Sequence, residues 1–142
     1  MKAIIAVNNL GFIGLGKNML WRSSEDFKHF KALVTDGSYC VVGGNTFDSI
    51  AMVGKRCNLL RLSRNPRVGL SLGEIESINE ASGIDWCLGG KLTYQVLAPY
   101  FTELHISHIN DNSIGDVTFP DFKNINPSCK VFNYNFEINK PK

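Results

Sequence analysis

A chain of 142 residues with 44% hydrophobic content is long enough to bury its own core, and one domain over residues 1–142 is expected. With 15 basic against 13 acidic residues the formal charge is +2, too weak a field to argue for nucleic acid or an anionic membrane surface. Apolar runs such as Ala3-Ile4-Ile5-Ala6-Val7 fall far short of the ~20 residues of a spanning helix, and the N-terminus lacks a signal-peptide layout, so a cytoplasmic protein is expected.

The first apolar run, "AIIAV" (3–7), reads as a buried strand. In "NNLGFIGLGKNMLW" (8–21), Gly11, Gly14 and Gly16 argue against a regular element and for a loop that acts as a lid over a ligand edge. A helix is expected from about 24 to 34, where a period of about 3.6 residues puts Leu33, Phe30, Val34 and Phe27 on one core-facing side with Asp26 among them. "YCVV" (39–42) reads as a strand, followed by a short helix near 46–52 and a strand in "NLLRLS" (58–63). A short helix near 73–80, a strand in "DWCL" (85–88), a helix at about 91–98 ended by Pro99, and a strand in "ELHISHI" (103–109) complete the alternation.

Short buried runs alternating with helices predict an α/β domain with a largely parallel sheet. In "VFNYNFEI", Phe132, Tyr134, Phe136 and Ile138 alternate with polar residues, which predicts a half-buried antiparallel strand added at an edge. Cys40, Cys57, Cys87 and Cys129 show no CxxC spacing and read as free, mostly buried thiols in a reducing compartment, with no metal. His105 and His108 stand three apart in a strand and so point to opposite faces, which weakens a metal reading for "HISHI".

Two strand-to-helix junctions carry paired glycines, in "YCVVGGNTFDSI" and "DWCLGGKLTYQVL". Glycine lets a ligand approach the backbone closely, and the first amides of a helix are unpaired donors at a positive dipole end. Two such junctions on one edge of an open α/β sheet suggest an elongated phosphorylated ligand such as a dinucleotide, although neither GxGxxG nor GxxxxGK[ST] is present. Between the junctions lie Lys55, Arg56, Arg61, Arg64 and Arg67, either a solvated strand edge or forks for a phosphate or carboxylate.

Asp26 admits two readings. With Ser23 as N-cap it is the third helical residue, where a carboxylate can reach back to the cap amide. Facing inward beside aromatic rings, it is instead a desolvated acid with raised proton affinity, suited to gripping a nitrogen-rich ring and assisting proton transfer.

The pieces "IIAV", "IGLGKNMLW", "DFKHFK", "VVGGNTFDSI", "NLLRLSR", "CLGGKLTY", "LHISHI" and "GDVTFPDF", in this order and spacing, resemble the dihydrofolate reductase family over nearly the whole chain. The resemblance implies a three-layer α/β/α fold with a central, mostly parallel twisted sheet and the antiparallel C-terminal edge strand. It implies an NADPH-dependent oxidoreductase that transfers a hydride to C6 of 7,8-dihydrofolate with protonation at N5, giving tetrahydrofolate. Its partners would be dihydrofolate and antifolates, with no nucleic acid or membrane, and the protein a monomer.

Carried over by the resemblance, Asp26 is the pterin acid and Trp21 the loop tryptophan that helps position a water for protonation. Ser107 matches the small hydroxyl residue linked to that acid. Ile5, Ala6, Phe27, Phe30, Ile50 and Leu88 match substrate-pocket walls, and Arg56 the arginine that holds the folate glutamate. On the cofactor side, Ala6, Ile13, Gly14 and Asn18 match positions near the nicotinamide and its ribose. Gly43, Gly44, Asn45 and Thr46 match the first phosphate junction, Ser63 and Arg64 the surroundings of the adenosine 2′-phosphate, and Gly89, Gly90, Lys91, Leu92 and Tyr94 the second junction.

The chain departs from the family pattern at Leu20, usually proline, and at Gly44, commonly arginine. The second change removes a cofactor phosphate contact, which Arg64 or Arg67 could replace, and leaves the choice between NADPH and NADH open. "RCNLLRLSR" is one residue longer than the usual spacing, so either Arg56 is shifted or the strand carries a bulge. Segment 65–83 is short for the family. A reductase of the riboflavin pathway and a non-catalytic module that keeps the fold are the alternatives, the first disfavoured by the helix carboxylate and the second by Asp26, Trp21 and Ser107 together.

Overall fold

The computed structural model describes residues 1–14, 21–49 and 56–139. Its main sheet has six strands: β1 (Lys2–Asn8), β3 (Tyr39–Gly43), β4 (Asn58–Leu62), β5 (Trp86–Cys87), β6 (Glu103–Asn110) and β8 (Lys130–Glu137). They lie in the order β4-β3-β5-β1-β6-β8, and every neighbouring pair is parallel.

Alternation along these strands divides the core in two. Ala3, Ile5, Val7, Val41, Cys87, Leu104 and Ile106 point to one face, where α3 (Leu72–Ser82) and α4 (Lys91–Leu97) cover them with Ile75, Tyr94 and Leu97. Ile4, Cys40, Val42, Trp86 and Leu88 point to the other, covered by Phe30 and Leu33 of α1 (Ser24–Leu33) and Phe47 of α2 (Gly44–Ser49). The result is the expected three-layer α/β/α arrangement. The expected extension of α2 to residue 52 lies outside the described residues.

The direction of β8 is a correction. Its inward alternation holds for Tyr134, Phe136 and Ile138, which are half buried, while Phe132 stays exposed at 38%; the strand runs parallel to β6, with Glu103 opposite Lys130 and Asn110 opposite Glu137. An alternating pattern states which side chains are buried and carries no information on direction; that is set by the connection. Segment 111–129 returns across the α3/α4 face, packing Phe119, Phe122, Ile125 and Cys129 on the core, and delivers the chain to the amino end of β6, where Lys130 N donates to Thr102 O at 3.0 Å. On its way it forms β7 (Val117–Thr118), antiparallel to β2 (Phe12–Gly14). Strand β2 is therefore a regular element inside the glycine-punctuated stretch that was expected to have none. Gly11 meets the turn before it with φ +87°, and neither Phe12 nor Ile13 is hindered by the neighbouring glycines.

Helix α1 begins as its sequence dictates. Ser23 Oγ accepts from Asp26 N at 3.2 Å, the N-cap bond that satisfies a first-turn amide. Four further bonds tie this helix head to the end of β8 and the residues after it. Ser23 Oγ donates to Glu137 O at 2.6 Å, Ser24 N to Asn139 Oδ1 at 2.9 Å, Glu137 N to Glu25 Oε2 at 3.0 Å, and Asn139 N to Arg22 O at 2.8 Å. Phe27 is a second correction. It stands half exposed, at 49%, stacked on Phe30 with Lys31 Nζ over its outer face, because the core-facing arc is narrower than the stripe read from sequence.

Cys40, Cys57, Cys87 and Cys129 are all free. Burial pushes the Cys87 thiol up to about 12 and raises that of Cys40 as well, so both act as small apolar core residues. Among the described residues no helix is long and apolar enough to cross a membrane.

Candidate active site

The carboxyl edge of the sheet is built by the two glycine pairs. Gly43 ends β3 and its N–H donates to Gly89 O at 2.6 Å, so the junctions touch each other. A Cβ on Gly43 would lie 2.5 Å from Thr93 Oγ1 and 3.5 Å from Gly90 N; one on Gly90 would lie 3.1 Å from Thr46 Oγ1. Gly89 has φ +103° and faces the Tyr94 ring, 2.9 Å from where its Cβ would be. Both cradles are thus shaped for backbone without side chains, leaving amides of residues 44–46 and 90–92 at the edge. Thr93, buried beneath Gly43, is a shaping residue that sequence reasoning passed over.

Around the cradles, Lys91 Nζ donates to Thr118 Oγ1 at 2.7 Å, which joins the second junction to β7. Leu92 is exposed at 63%. Tyr94 is core: its phenol donates to Ile4 O at 2.6 Å, and burial raises its pKa well above the ordinary value. Gly14 pairs with Val117, and Ile13 packs against the α3/α4 core. Ser63 Oγ accepts from Asn65 N at 3.0 Å, beside exposed Arg64. At Gly44 the space a side chain would take is flanked by Arg61, whose Nη2 is 3.3 Å from the Cβ position and whose guanidinium lies over Phe47. Arg61 Nε is buried with no hydrogen-bond partner. Lys55 lies outside the described residues; among the described basic residues flagged from sequence, Arg61 is the one that reaches the first junction.

The acid lies on the α1 side of the same sheet. Burial raises the Asp26 pKa, with the Ser107 hydroxyl and His29 acting weakly in the opposite sense. Ser107, which pairs with Ala6 in β1, is buried; its Oγ has no hydrogen-bond partner among the described residues and faces Asp26, near enough to favour the carboxylate. Desolvation therefore dominates the acid. Ser23 caps the helix as expected, no bond from the Ser23 amide to the Asp26 carboxyl stands among the described residues, and burial raises the proton affinity of the carboxyl. Leu88 is buried and Phe30 half buried on this face, and Trp21 is buried at the start of the described segment that leads into α1. Alternation puts Ala6 on the Ser107 side and Ile5 on the opposite one, in the α3/α4 core, so Ile5 is not brought together with the acid. Asn18 and Ile50 lie outside the described residues, and of Asn45 only the backbone, in the first turn of α2, is described.

Arg56 precedes β4, close to the end of α1. Its Nε pairs with Asp36 Oδ1 at 2.7 Å, its Nη2 donates to Val34 O at 3.1 Å, and its Nη1 is buried without a partner. The β3/β4 register runs without interruption from Tyr39 opposite Asn58 to Gly43 opposite Leu62, so the extra residue before "LSR" is not a bulge within β4.

An open parallel sheet with two anion cradles and a desolvated acid on its carboxyl side is the arrangement of an α/β enzyme that takes an elongated ligand across that edge. Residues 1–133 match the family model for dihydrofolate reductase. The chain is 33% identical over 134 residues to dihydrofolate reductase type 3 of Salmonella typhimurium, covering 84% of this chain and 76% of that one. It is 30% identical over 131 residues to dihydrofolate reductase type 9 of Escherichia coli, with 82% and 73% covered. A structure of dihydrofolate reductase from Enterococcus faecalis, complexed with NADP(H) and RAB-propyl, superposes with TM-score 0.76 at 26% identity over 86% of this chain and 77% of that one. The chain belongs to the dihydrofolate reductase family of oxidoreductases, as its motifs implied.

Proposed function

We propose that the chain reduces 7,8-dihydrofolate to 5,6,7,8-tetrahydrofolate with NADPH, by hydride transfer to C6 and protonation at N5. The observation that carries this reading is Asp26: a carboxyl at the head of α1 whose pKa is raised by burial, opposite the buried Ser107 hydroxyl and on the edge that holds both glycine cradles. A carboxylate so placed accepts two parallel bonds from a ring N–H and its amino substituent, and the paired charge polarises the pterin toward protonation at N5. Trp21, Ala6, Phe30 and Leu88 supply dry walls, and a dry site strengthens each electrostatic contact made there.

The cradles at Gly43-Gly44 and Gly89-Gly90 fit a dinucleotide, because the backbone is bare where its phosphates would approach. NADPH, when bound, supplies the hydride. Residues 44–46 and 90–92 hold its phosphates through backbone amides, and Ser63, Arg64 and Arg61 stand on the side of its adenosine. Mixing the protein with dihydrofolate and NADPH is expected to consume the cofactor absorbance, and no turnover above blank from acid to neutral pH would refute the reading. Running the same assay with NADH measures how far Arg61 and Arg64 make up for the glycine at 44.

Arg56 is assigned to the glutamate carboxylate by its match to the family arginine, its guanidinium being held in place by Asp36 and Val34 O. Arg56→Lys keeps the charge and loses the fork, so KM for dihydrofolate is expected to rise ~10-fold with kcat nearly unchanged. A dihydropterin without the glutamate tail should show no such change. Equal KM shifts for both substrates would remove Arg56 from the site.

A further inference from the structure

The wall behind Asp26 carries more titratable chemistry than packing requires. On the α1 side of the sheet, β8 contributes Phe132, Tyr134 and Phe136, and β6 contributes His105 and Ser107, with Ser107 opposite Tyr134 in the register. One polar line runs through this aromatic layer. Glu103 Oε1 is 2.8 Å from His105 Nε2, and His105 Nδ1 is 2.9 Å from the Tyr134 hydroxyl, while the His105 ring stacks on Phe132 at 4.7 Å. Tyr134 then meets His29, one helical turn beyond Asp26, with ring centroids 4.0 Å apart; Phe136 holds the same imidazole at 5.1 Å. His29 Nε2 is buried and has no hydrogen-bond partner.

A buried nitrogen left unbonded costs ~1–3 kcal/mol, and phenylalanine would fill the same space without it. An imidazole here therefore points to a charge role. The titratable groups around it are Asp26 on its own helix, His105 with its partner Glu103 on β6, and Tyr134 on β8. Glu25 and Lys31 of α1 are engaged elsewhere, on Glu137 N and over Phe27.

We propose that His29 is a positioning residue for the pterin acid: an imidazole clamped between Tyr134 and Phe136 that takes up a proton as the medium is acidified and so holds the Asp26 carboxyl ionised. The coupling is mutual, since the Asp26 carboxylate favours His29 protonation against the burial that opposes it, and a charged His29 favours the carboxylate. Hydrogen-bonded to Glu103 on its far side, His105 fixes the Tyr134 hydroxyl and with it the ring that His29 leans on. The inference rests on the reading of Asp26 as the acid of a dihydrofolate site.

The test uses the full chain, with carboxyl carbons of aspartate labelled for NMR, in His29→Phe and His29→Gln. Both variants remove the counter-charge, so both are expected to move the Asp26 titration to higher pH. In the pH profile of dihydrofolate reduction, the variant-to-parent ratio of kcat/KM is expected to fall ~2-fold to 5-fold between about pH 7.5 and about pH 5.5. A purely structural histidine would leave the Asp26 titration unmoved and lower the rate equally at all pH values, and that result overturns the proposal. A shifted Asp26 titration in a protein without turnover would count against the reductase reading alone; turnover with an unshifted titration would count against His29 alone.

Discussion

If the proposed function holds, replacing Asp26 with asparagine is expected to lower dihydrofolate turnover at neutral pH by ~10²-fold or more, with part of the rate returning in acid. In the proposed mechanism the amide keeps the shape of the side chain but cannot carry the charge that would polarise the pterin, whereas in acid the substrate would take its proton from the medium. Steady-state rates from about pH 5 to about pH 8 decide the matter; a variant as active as its parent across that range would remove Asp26 from the chemistry. The same substitution acts oppositely on the fold. A carboxyl whose pKa is higher folded than unfolded adds stability that is fully present below the unfolded value, ordinarily 3.8, and is lost as pH rises through the raised folded value. At neutral pH the ionised Asp26 therefore opposes folding. Asp26→Asn is expected to melt at a higher temperature than the parent while being nearly inert, the trade expected where a site needs a group the core does not.

Gly89→Ala is expected to cost the fold more than any other glycine substitution at a positive φ among the described residues. Alanine at φ +103° is strained by ~1–3 kcal/mol, and its Cβ would press on the Tyr94 ring from 2.9 Å. That ring is buried and fixed by its bond to Ile4 O, so it cannot swing aside, and overpacking adds ~1–3 kcal/mol. Gly83→Ala is the control, because Gly83 has φ +79° but open space within 4 Å of its Cβ position. Urea unfolding of both variants separates the two causes. If their midpoints fall equally, Tyr94 yields and the packing argument is wrong. Binding of NADPH should weaken in Gly89→Ala and stay unchanged in Gly83→Ala, since only the first distorts the edge.

What could be read from sequence follows from the range of the physics involved. The helix head at Ser23, the buried strands and the two glycine junctions are set by residues a few positions apart, and they stand where local pattern put them. Gly89 and Gly90 were legible because a glycine pair closing an apolar run has few other uses. The direction of β8 was not legible, because it depends on how segment 111–129 returns, and no residue within "VFNYNFEI" encodes that. The side chain of Ile5 packs away from Asp26 because in a strand one position is the opposite face, which residue type alone does not reveal. Phe27 misled because helical periodicity gives an arc and not its width. Arg61 beneath Gly44 and His29 against Tyr134 are meetings between distant segments: a gap at one position is filled from another strand, and only the assembled sheet brings them into contact.

The lashing between the head of α1 and the end of β8 has a consequence for the order in which the protein is made. Ser23, Ser24 and Glu25 are bonded to partners 112 to 115 residues downstream. At a synthesis rate of roughly 5–20 residues per second, those partners leave the ribosome on the order of ten seconds after the helix that needs them. Until then the turn that carries Asp26 is held by its own N-cap and by the packing of Phe30 and Leu33 on the sheet, without the bonds that tie it to β8. A chain stalled before residue 137 is therefore expected to lack the four bonds that fix the head of α1 against β8.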